Sequence, residues 1–365
     1  MIVGSWPGYV ATQNNFLRIF LDGIADEGCE VRSIDSVDQI AEHQDLDVVL
    51  LHWPQRVFWE ADGRLATLRN MYRLIHGLRQ LRSTTLVVWV AHNLRPHDAQ
   101  GMMKLLWPLF AKGLNRMIDA VLTLSSETLG PVQNAYPELA NLPSACLRHP
   151  KYPGQSLSAE ERAMVRATLD LADEAMVVGY CGQLRKNKGV DTLVSAYTGS
   201  KDSQCHLLVA GMAPSSSTGL VEALHAVARQ DAKVHLEISD LSPERYRELL
   251  GACDLVVAPF RDYLHSGSLI HALSADRPIL TPRTPFAEGL LADLGPQWVR
   301  LYEGELTAAI LDDAIRAPRA TGACPLGQYE ASEIGAQIVA WLDTQRADNG
   351  GLAPSRFSSR QGVSS

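Results

Sequence analysis

No stretch of the 365-residue chain approaches the ~20 consecutive apolar residues that span a bilayer, so any membrane contact is expected to be peripheral. Nor does the N-terminus read as a secretory signal: Asp22 and Asp26 follow too early, and no cleavage-type segment is present. Cysteine is scarce. Six residues (Cys29, Cys146, Cys181, Cys205, Cys253, Cys324) are scattered without a CxxC pair or a metal-ligand spacing, which points to reduced, mostly buried thiols in a cytoplasmic protein. Positive charge is outnumbered, with 33 Lys and Arg against 41 Asp and Glu and a net charge of −8, which argues against a bulk nucleic-acid binder. Both the GxxxxGK-S/T phosphate loop and the GxGxxG dinucleotide turn are missing.

Acidic residues are absent from one region in particular. Between Arg64 and Arg116 the only acid is Asp98, against Arg64 and eight further Arg and Lys. Two readings fit: solvated helix faces beside a substrate-facing surface, or a face for anionic lipid or an anionic acceptor. The stretch Met102–Ile118 reads as an amphipathic helix. It carries Met102, Met103, Leu105, Leu106, Trp107, Leu109 and Phe110 beside Lys104 and Lys112, which suits either core packing or a monotopic contact with an inner leaflet.

What the chain has in quantity is 46% apolar residues, enough for two buried cores. Short Val/Leu-rich runs alternate with helical periodicity. Expected strands are Met1–Gly4, Glu30–Ser33, Asp47–His52, Thr85–Ala91, Ala120–Leu124 and Ala145–Arg148. A second series follows at Met176–Cys181, His206–Gly211, Val234–Leu236, Leu255–Ala258 and Ile279–Thr281. Near-continuous apolar strands indicate parallel sheets covered on both faces. Between the series, Pro150–Ser158 reads as a linker, so residues 1–150 and 151–329 form two α/β domains. A last helix follows at residues 330–344, and residues 345–365 have the composition of a disordered tail.

Four segments at strand ends carry chemistry. Gly182–Gly189 (GQLRKNKG) follows a strand and opens a helix; Gly182 permits a sharp turn, and Arg185, Lys186 and Lys188 concentrate cations, which makes a clamp for a pyrophosphate or a plain basic loop. Ser266, Gly267 and Ser268 begin another helix after a strand, as phosphate contacts or as an ordinary cap. His92 and Asn93 end a buried strand, followed by His97 and Asp98, and Asp98 suits either a general base or a helix cap. Gly8, Asn14 and Asn15 follow the first strand, while Trp53 follows the third and suits ring stacking or core packing. Asp45-Leu46-Asp47 precedes its strand and reads as a solvated loop, so no metal is expected.

At these residues the chain resembles the GT-B glycosyltransferases. Gly182–Gly189 matches the G-x-L/I-x-x-x-K-G stretch of family 4, which implies Arg185 and Lys188 on a donor diphosphate. The family continues E-A-x-A-x-G-x-P-V, ending here at Ile279; its Glu, a ribose contact, falls on His271, and its Gly on Asp276. His92–Asp98 and Arg261–Ser268 match H-N-L-x-P-H-D/E and R-D-x-x-x-S-G-S/A of a bacterial exopolysaccharide subgroup. That subgroup includes the GDP-mannose-dependent β-1,4-mannosyltransferases of family 94.

The resemblance implies a GT-B fold, with two Rossmann-like domains facing a central cleft and the C-terminal helix returning to the first domain. It implies mannose transfer from GDP-mannose to a lipid-linked oligosaccharide, without a cofactor or required metal. Gly182, Arg185, Lys188, Ser266, Gly267 and Ser268 would hold the diphosphate, and His271 and Arg261 other parts of the donor. Gly8, Asn14, Asn15, Trp53 and Asn93 would meet the acceptor, and Asp98 or His92 would serve as base if the reaction inverts. The alternatives are a UDP-sugar-dependent family 4 enzyme, a GT-B sugar-nucleotide epimerase, and a non-catalytic sugar-nucleotide binding subunit.

Overall fold

The computed structural model describes residues 1–10, 14–96, 101–200, 204–260 and 263–348, with only the backbone described for Met102 and Lys186. The chain forms two compact units: Met1–Pro150 together with the segment from Gln328 onward, and Lys151–Gly327.

Unit 1 is built on β1 (Ile2–Trp6), β2 (Glu30–Ser33), β3 (Val48–Leu51), β4 (Leu86–Val90), β5 (Ala120–Thr123) and β6 (Ser144–Cys146). They form one parallel sheet in the order β2-β1-β3-β4-β5-β6. Every residue of β3 and β4 is buried, because helices cover both faces and neither face can carry polar side chains. Unit 2 repeats the plan with β7 (Val177–Cys181), β8 (His206–Ala210), β9 (Val234–Glu237), β10 (Leu255–Val257), β11 (Ile279–Pro282) and β12 (Val299–Tyr302). Its parallel sheet runs β12-β11-β10-β7-β8-β9.

Each order reverses direction once, between β1 and β3 in unit 1 and between β7 and β10 in unit 2. At such a point the two crossover helices diverge to opposite faces and leave a crevice at the carboxyl ends of the strands, where open α/β sheets bind ligands.

The C-terminal helix, Ala331–Asp348, buries Ile334, Ile338 and Leu342 in one core with Phe16, Leu17, Phe20, Leu21 and Ile24 of helix Asn15–Asp26. The two helices cross at Gly23 and Gly335: a Cβ on Gly335 would lie 1.9 Å from the Gly23 carbonyl oxygen. This helix runs to Asp348, four residues past the end expected at Thr344, because its periodicity continues through Arg346, which pairs with Asp47.

Three further points differ from the sequence reading. Strand β12 was not foreseen, since its four residues, VRLY, include Arg300 and give too short an apolar pattern to stand out. The return to unit 1 comes by Gln328, just before the expected boundary at residue 329, and Tyr329 already lies under the guanidinium of Arg148. The segment Pro150–Ser158 is not a free linker. The Tyr152 N–H donates to Ser274 Oγ, Arg247 donates to the Ser156 carbonyl, Leu157 covers Gly251, and Ser158 caps helix Ala159–Thr168 through a capping box.

Ile338→Ala removes a fully buried side chain from the joint between the C-terminal helix and helix Asn15–Asp26. A loss of about 2–5 kcal/mol is expected. Equilibrium urea unfolding measures it, and a change under about 0.5 kcal/mol would show that the helix contributes little to unit 1.

Candidate functional site

In unit 2 the turn after β7 and the segment after β10 come together at the reversal point. Gly189 adopts φ +65°, and a Cβ there would lie 2.1 Å from the Pro259 carbonyl oxygen, so only glycine lets the two segments close on each other. On the other side, Gly211, after β8, approaches Gly182 as closely: its Cβ would lie 2.0 Å from the Gly182 carbonyl oxygen. The Gly182 N–H is held by the Ala210 carbonyl. The 182–189 turn is therefore fixed by backbone contacts on both flanks.

Lys188 projects from this turn over the ring of Phe260, with Nζ 3.9 Å from the ring centroid. Burial, and secondarily the Arg185 charge, lower its pKa to about 8. A desolvated ammonium held on an aromatic face beside a guanidinium is a strong attractor for an anion. Helix Val190–Thr198 starts at Gly189 with no side-chain cap, so its N-terminal dipole adds to the same field.

Ser266 is buried and caps helix Gly267–Ser274, accepting the Leu269 N–H at 3.4 Å, while Gly267 and Ser268 form the first turn and are partly exposed. His271 is held within the protein. Its ring stacks on Tyr152 at 4.3 Å and against Tyr246 at 4.8 Å, and its Nε2 lies 2.7 Å from Gln155 Oε1. Tyr246 in turn donates to the Cys181 carbonyl at the end of β7. Asp276 adopts φ +57°, the left-handed region that explains a glycine at this point of the pattern; Asp tolerates it, and its carboxylate accepts from the Cys324 N–H and from Ser156. Arg261 lies outside the described residues.

In unit 1 the reversal point gathers rings. His52 follows β3, His92 follows β4, and His149 lies three residues beyond β6. His52 Nδ1 and His92 Nε2 are 2.9 Å apart. Trp53 stacks on His92 at 4.4 Å, and Phe16 packs its ring against both His92 and His149. Burial pushes the pKa of His52 down to about 3 and that of His149 down to about 4, so both rings are neutral near pH 7. The structure thus brings together His92 and Trp53, which the sequence singled out, with His52, His149 and Phe16, which it did not. The available signal was a histidine close behind each of three apolar strands, at LLH, VAH and LRH.

The other expected acceptor residues sit differently. Gly8 makes its close approach to the protein itself: a Cβ there would lie 1.7 Å from Ser33 Oγ. Asn14 caps helix Asn15–Asp26 by accepting the Phe16 N–H at 3.0 Å, and Asn15 is exposed at the first position of that helix. Asn93 is partly buried next to His92. Asp98 and His97 lie outside the described residues. Asp45 and Asp47 are committed to structure. Asp45 pairs with Arg32 at 2.7 Å, which holds its pKa below the usual carboxylate range, and Asp47 accepts the Ile2 N–H at 2.6 Å and pairs with Arg346.

Two parallel six-stranded α/β units, each with one reversal point, are the architecture of the GT-B fold. Residues 175–299 match the family model of glycosyl transferases group 1. Over 96% of this chain and 99% of its own, Alr3699/HepE of Anabaena, solved with UDP and glucose, superposes with a TM-score of 0.63 at 15% identity. WaaG, a glycosyltransferase of lipopolysaccharide biosynthesis, covers 97% of this chain with a TM-score of 0.57 at 15% identity. The chain is a GT-B glycosyltransferase whose second unit is a group 1 glycosyltransferase domain. In sequence it is 29% identical, over 79% of its length and 77% of the relative's, to a GDP-mannose:glycolipid 4-β-D-mannosyltransferase of Xanthomonas campestris pv. campestris. A second such protein from that organism is 28% identical.

Nucleoside diphosphate affinity is expected to fall as pH rises through about 8, because the free Lys188 ammonium deprotonates there and binding must then be accompanied by proton uptake. The loss should approach tenfold per pH unit above that value. Lys188→Arg should flatten the profile, since a guanidinium stays charged. Titration calorimetry from pH 7 to 9 measures both, and an unchanged affinity in the wild type would remove Lys188 from the anion site.

Proposed function

We propose that the chain transfers mannose from GDP-mannose to a lipid-linked oligosaccharide in exopolysaccharide synthesis. The observation that carries the donor half is the closure of the 182–189 turn on Pro259, which holds Lys188 over Phe260 just before the start of helix Val190–Thr198. The activity in the names of the two Xanthomonas relatives supports mannose as the sugar and a glycolipid as the acceptor.

In this reading the acceptor hydroxyl attacks C1 of mannose, the C1–O bond to the diphosphate breaks, and GDP leaves with negative charge growing on its β-phosphate. Arg185, Lys188 and the N–H groups at Gly267 and Ser268 oppose that charge from fixed positions, which removes the need for a metal. A 4-β product from an α-linked donor requires inversion, so the hydroxyl proton passes to a base: Asp98, or else His92. Trp53, Asn15 and Asn93 serve the acceptor.

Lipid-linked acceptors lie at a membrane, and unit 1 carries a surface suited to one. Among the described residues no helix is long and apolar enough to cross a bilayer. The neighbouring helices Arg64–Leu81 and Gly101–Asn115 instead expose apolar side chains, with Leu65 84%, Tyr72 65%, Leu105 77% and Leu109 70% accessible. Exposed Arg64, Arg69, Lys104 and Lys112 flank them, and neither helix contains an acid. Anionic headgroups complement that charge while the leucines enter the acyl boundary.

Thermal-shift screening with GDP, UDP, ADP and dTDP should single out GDP, and Arg185→Ala or Lys188→Ala should abolish the shift. Radiolabelled GDP-mannose with membrane lipid extract should then yield labelled glycolipid, undiminished by EDTA. A UDP-selective protein, or donor binding without transfer, would overturn the mannosyl reading. Separately, Leu105→Ser/Leu109→Ser should reduce co-sedimentation with phosphatidylglycerol vesicles by about tenfold or more. Equal sedimentation of variant and wild type would reject this surface.

A further inference from the structure

We propose that Phe260 is a positioning residue of the donor site: its ring face stands in for a counter-ion to Lys188, holding the ammonium charged and in place without an anion that an incoming diphosphate would have to displace. The inference rests on the reading of Lys188 as a diphosphate contact and extends it to a residue that acts through Lys188.

The pairing is set by the backbone. Gly189 follows Lys188 and Pro259 precedes Phe260, so the close approach of Gly189 to the Pro259 carbonyl brings the two side chains together from distant segments. Lys188 Nζ then stands 3.9 Å from the ring centroid. The ring is held from its sides. Phe260 is buried, and Tyr180 and Tyr263 meet it nearly at right angles, at 88° and 89°. Both tyrosines are fixed at their hydroxyls: Tyr180 donates to the Gln183 carbonyl of the same turn at 2.7 Å, and Tyr263 accepts from Thr284 at 3.0 Å. Lys188, by contrast, stays partly exposed.

A desolvated ammonium ordinarily keeps its charge by pairing with a carboxylate. Among the described residues the Lys188 ammonium has no ion pair and no hydrogen bond. The surroundings that act on it favour its neutral form: burial first, then the Arg185 guanidinium on the same turn. Tyr180 and Tyr263, the titratable groups packed against Phe260, are neutral near pH 7 because burial raises the pKa of both. Arg261 and Asp262, which follow Phe260, lie outside the described residues. What favours the charged form is the negative face of the Phe260 ring, an attraction that grows as water is excluded. The use of a ring has a consequence for binding. A carboxylate would form a charge-assisted pair that the diphosphate must break, whereas a ring quadrupole supports the charge and leaves the N–H donors to the phosphate oxygens.

The test reads Lys188 directly. NMR titration of the free protein with isotope-labelled lysine, the Lys188 signal being assigned by its loss in Lys188→Arg, should give a midpoint of about 8 in the wild type. Phe260→Leu should lower that midpoint by about one pH unit, because the charged form loses the support of the ring, and Phe260→Tyr should restore it. GDP affinity, followed by calorimetry, should accordingly begin to fall about one pH unit lower in Phe260→Leu than in the wild type, while at about pH 6 the two proteins should bind GDP within about threefold. In the Lys188→Arg background the profile should be flat with or without the ring. If the leucine variant folds poorly, fluorinated phenylalanines placed at position 260 keep the shape of the ring and weaken its face. The midpoint should then fall stepwise from phenylalanine to monofluoro- to trifluorophenylalanine. Asp262→Asn should leave it in place.

An unmoved Lys188 midpoint in Phe260→Leu or across the fluorinated series, or a midpoint that falls as far in Asp262→Asn, would overturn the proposal while leaving Lys188 in the anion site. Loss of GDP binding at every pH with an unmoved midpoint would reduce Phe260 to packing of the turn. A wild-type GDP affinity that does not change with pH would remove Lys188 from the anion site, and the donor role of Phe260 with it.

Discussion

Where Gly189 presses against the carbonyl of Pro259, two chain segments that leave different strands are held in backbone contact. That contact is possible because β7 and β10 are neighbours at the reversal point, and because no side chain stands between them. Its consequence is electrostatic. It holds Lys188 against Phe260, away from water, where its charge is costly to maintain and correspondingly effective on an incoming anion. An ammonium on a solvated loop would have neither property.

Unit 1 meets the same problem of placement by a different means. Its reversal point is walled with rings, and Phe16 links them to the rest of the unit. The ring touches His92 and His149 on one side and belongs on the other to the core shared with Ile334, Ile338 and Leu342. The C-terminal helix is thus coupled, through helix Asn15–Asp26, to the order of the histidine cluster. That gives a physical reason for the chain to return to unit 1 after completing unit 2: the helix supplies Ile334, Ile338 and Leu342 to a core that residues 1–150 leave open.

Much of the fold was legible because parallel strands buried on both faces must be apolar throughout. The runs VVLL and LVVWV can be little else in a chain of this kind. The turn at Gly182–Gly189 was legible because its glycines and cations stand together in sequence. The surroundings of His271 were not legible, for a complementary reason. Its place in the motif suggests a ligand, but its partners Tyr152, Gln155 and Tyr246 lie up to 119 residues away and only folding brings them round the ring. Asn14 and Ser266 likewise suggested ligand contacts, and both are found capping helices, because the same short polar side chain satisfies either need.

The sequence by itself determined the class of fold, the two-unit plan and the glycine- and cation-rich turn at 182–189, since each depends on local pattern: hydrophobic runs, their spacing, and one contiguous motif. Tertiary structure alone decided which histidines meet. His52 and His92 are 40 residues apart, and their 2.9 Å contact follows from β3 and β4 being adjacent in register, a pairing that neither segment encodes alone. It also decided that the Pro150–Ser158 segment is docked and that Asp45 and Asp47 are structural. Those outcomes depend on partners distant in the chain, and burial and charge pairing select them only once the sheets have formed.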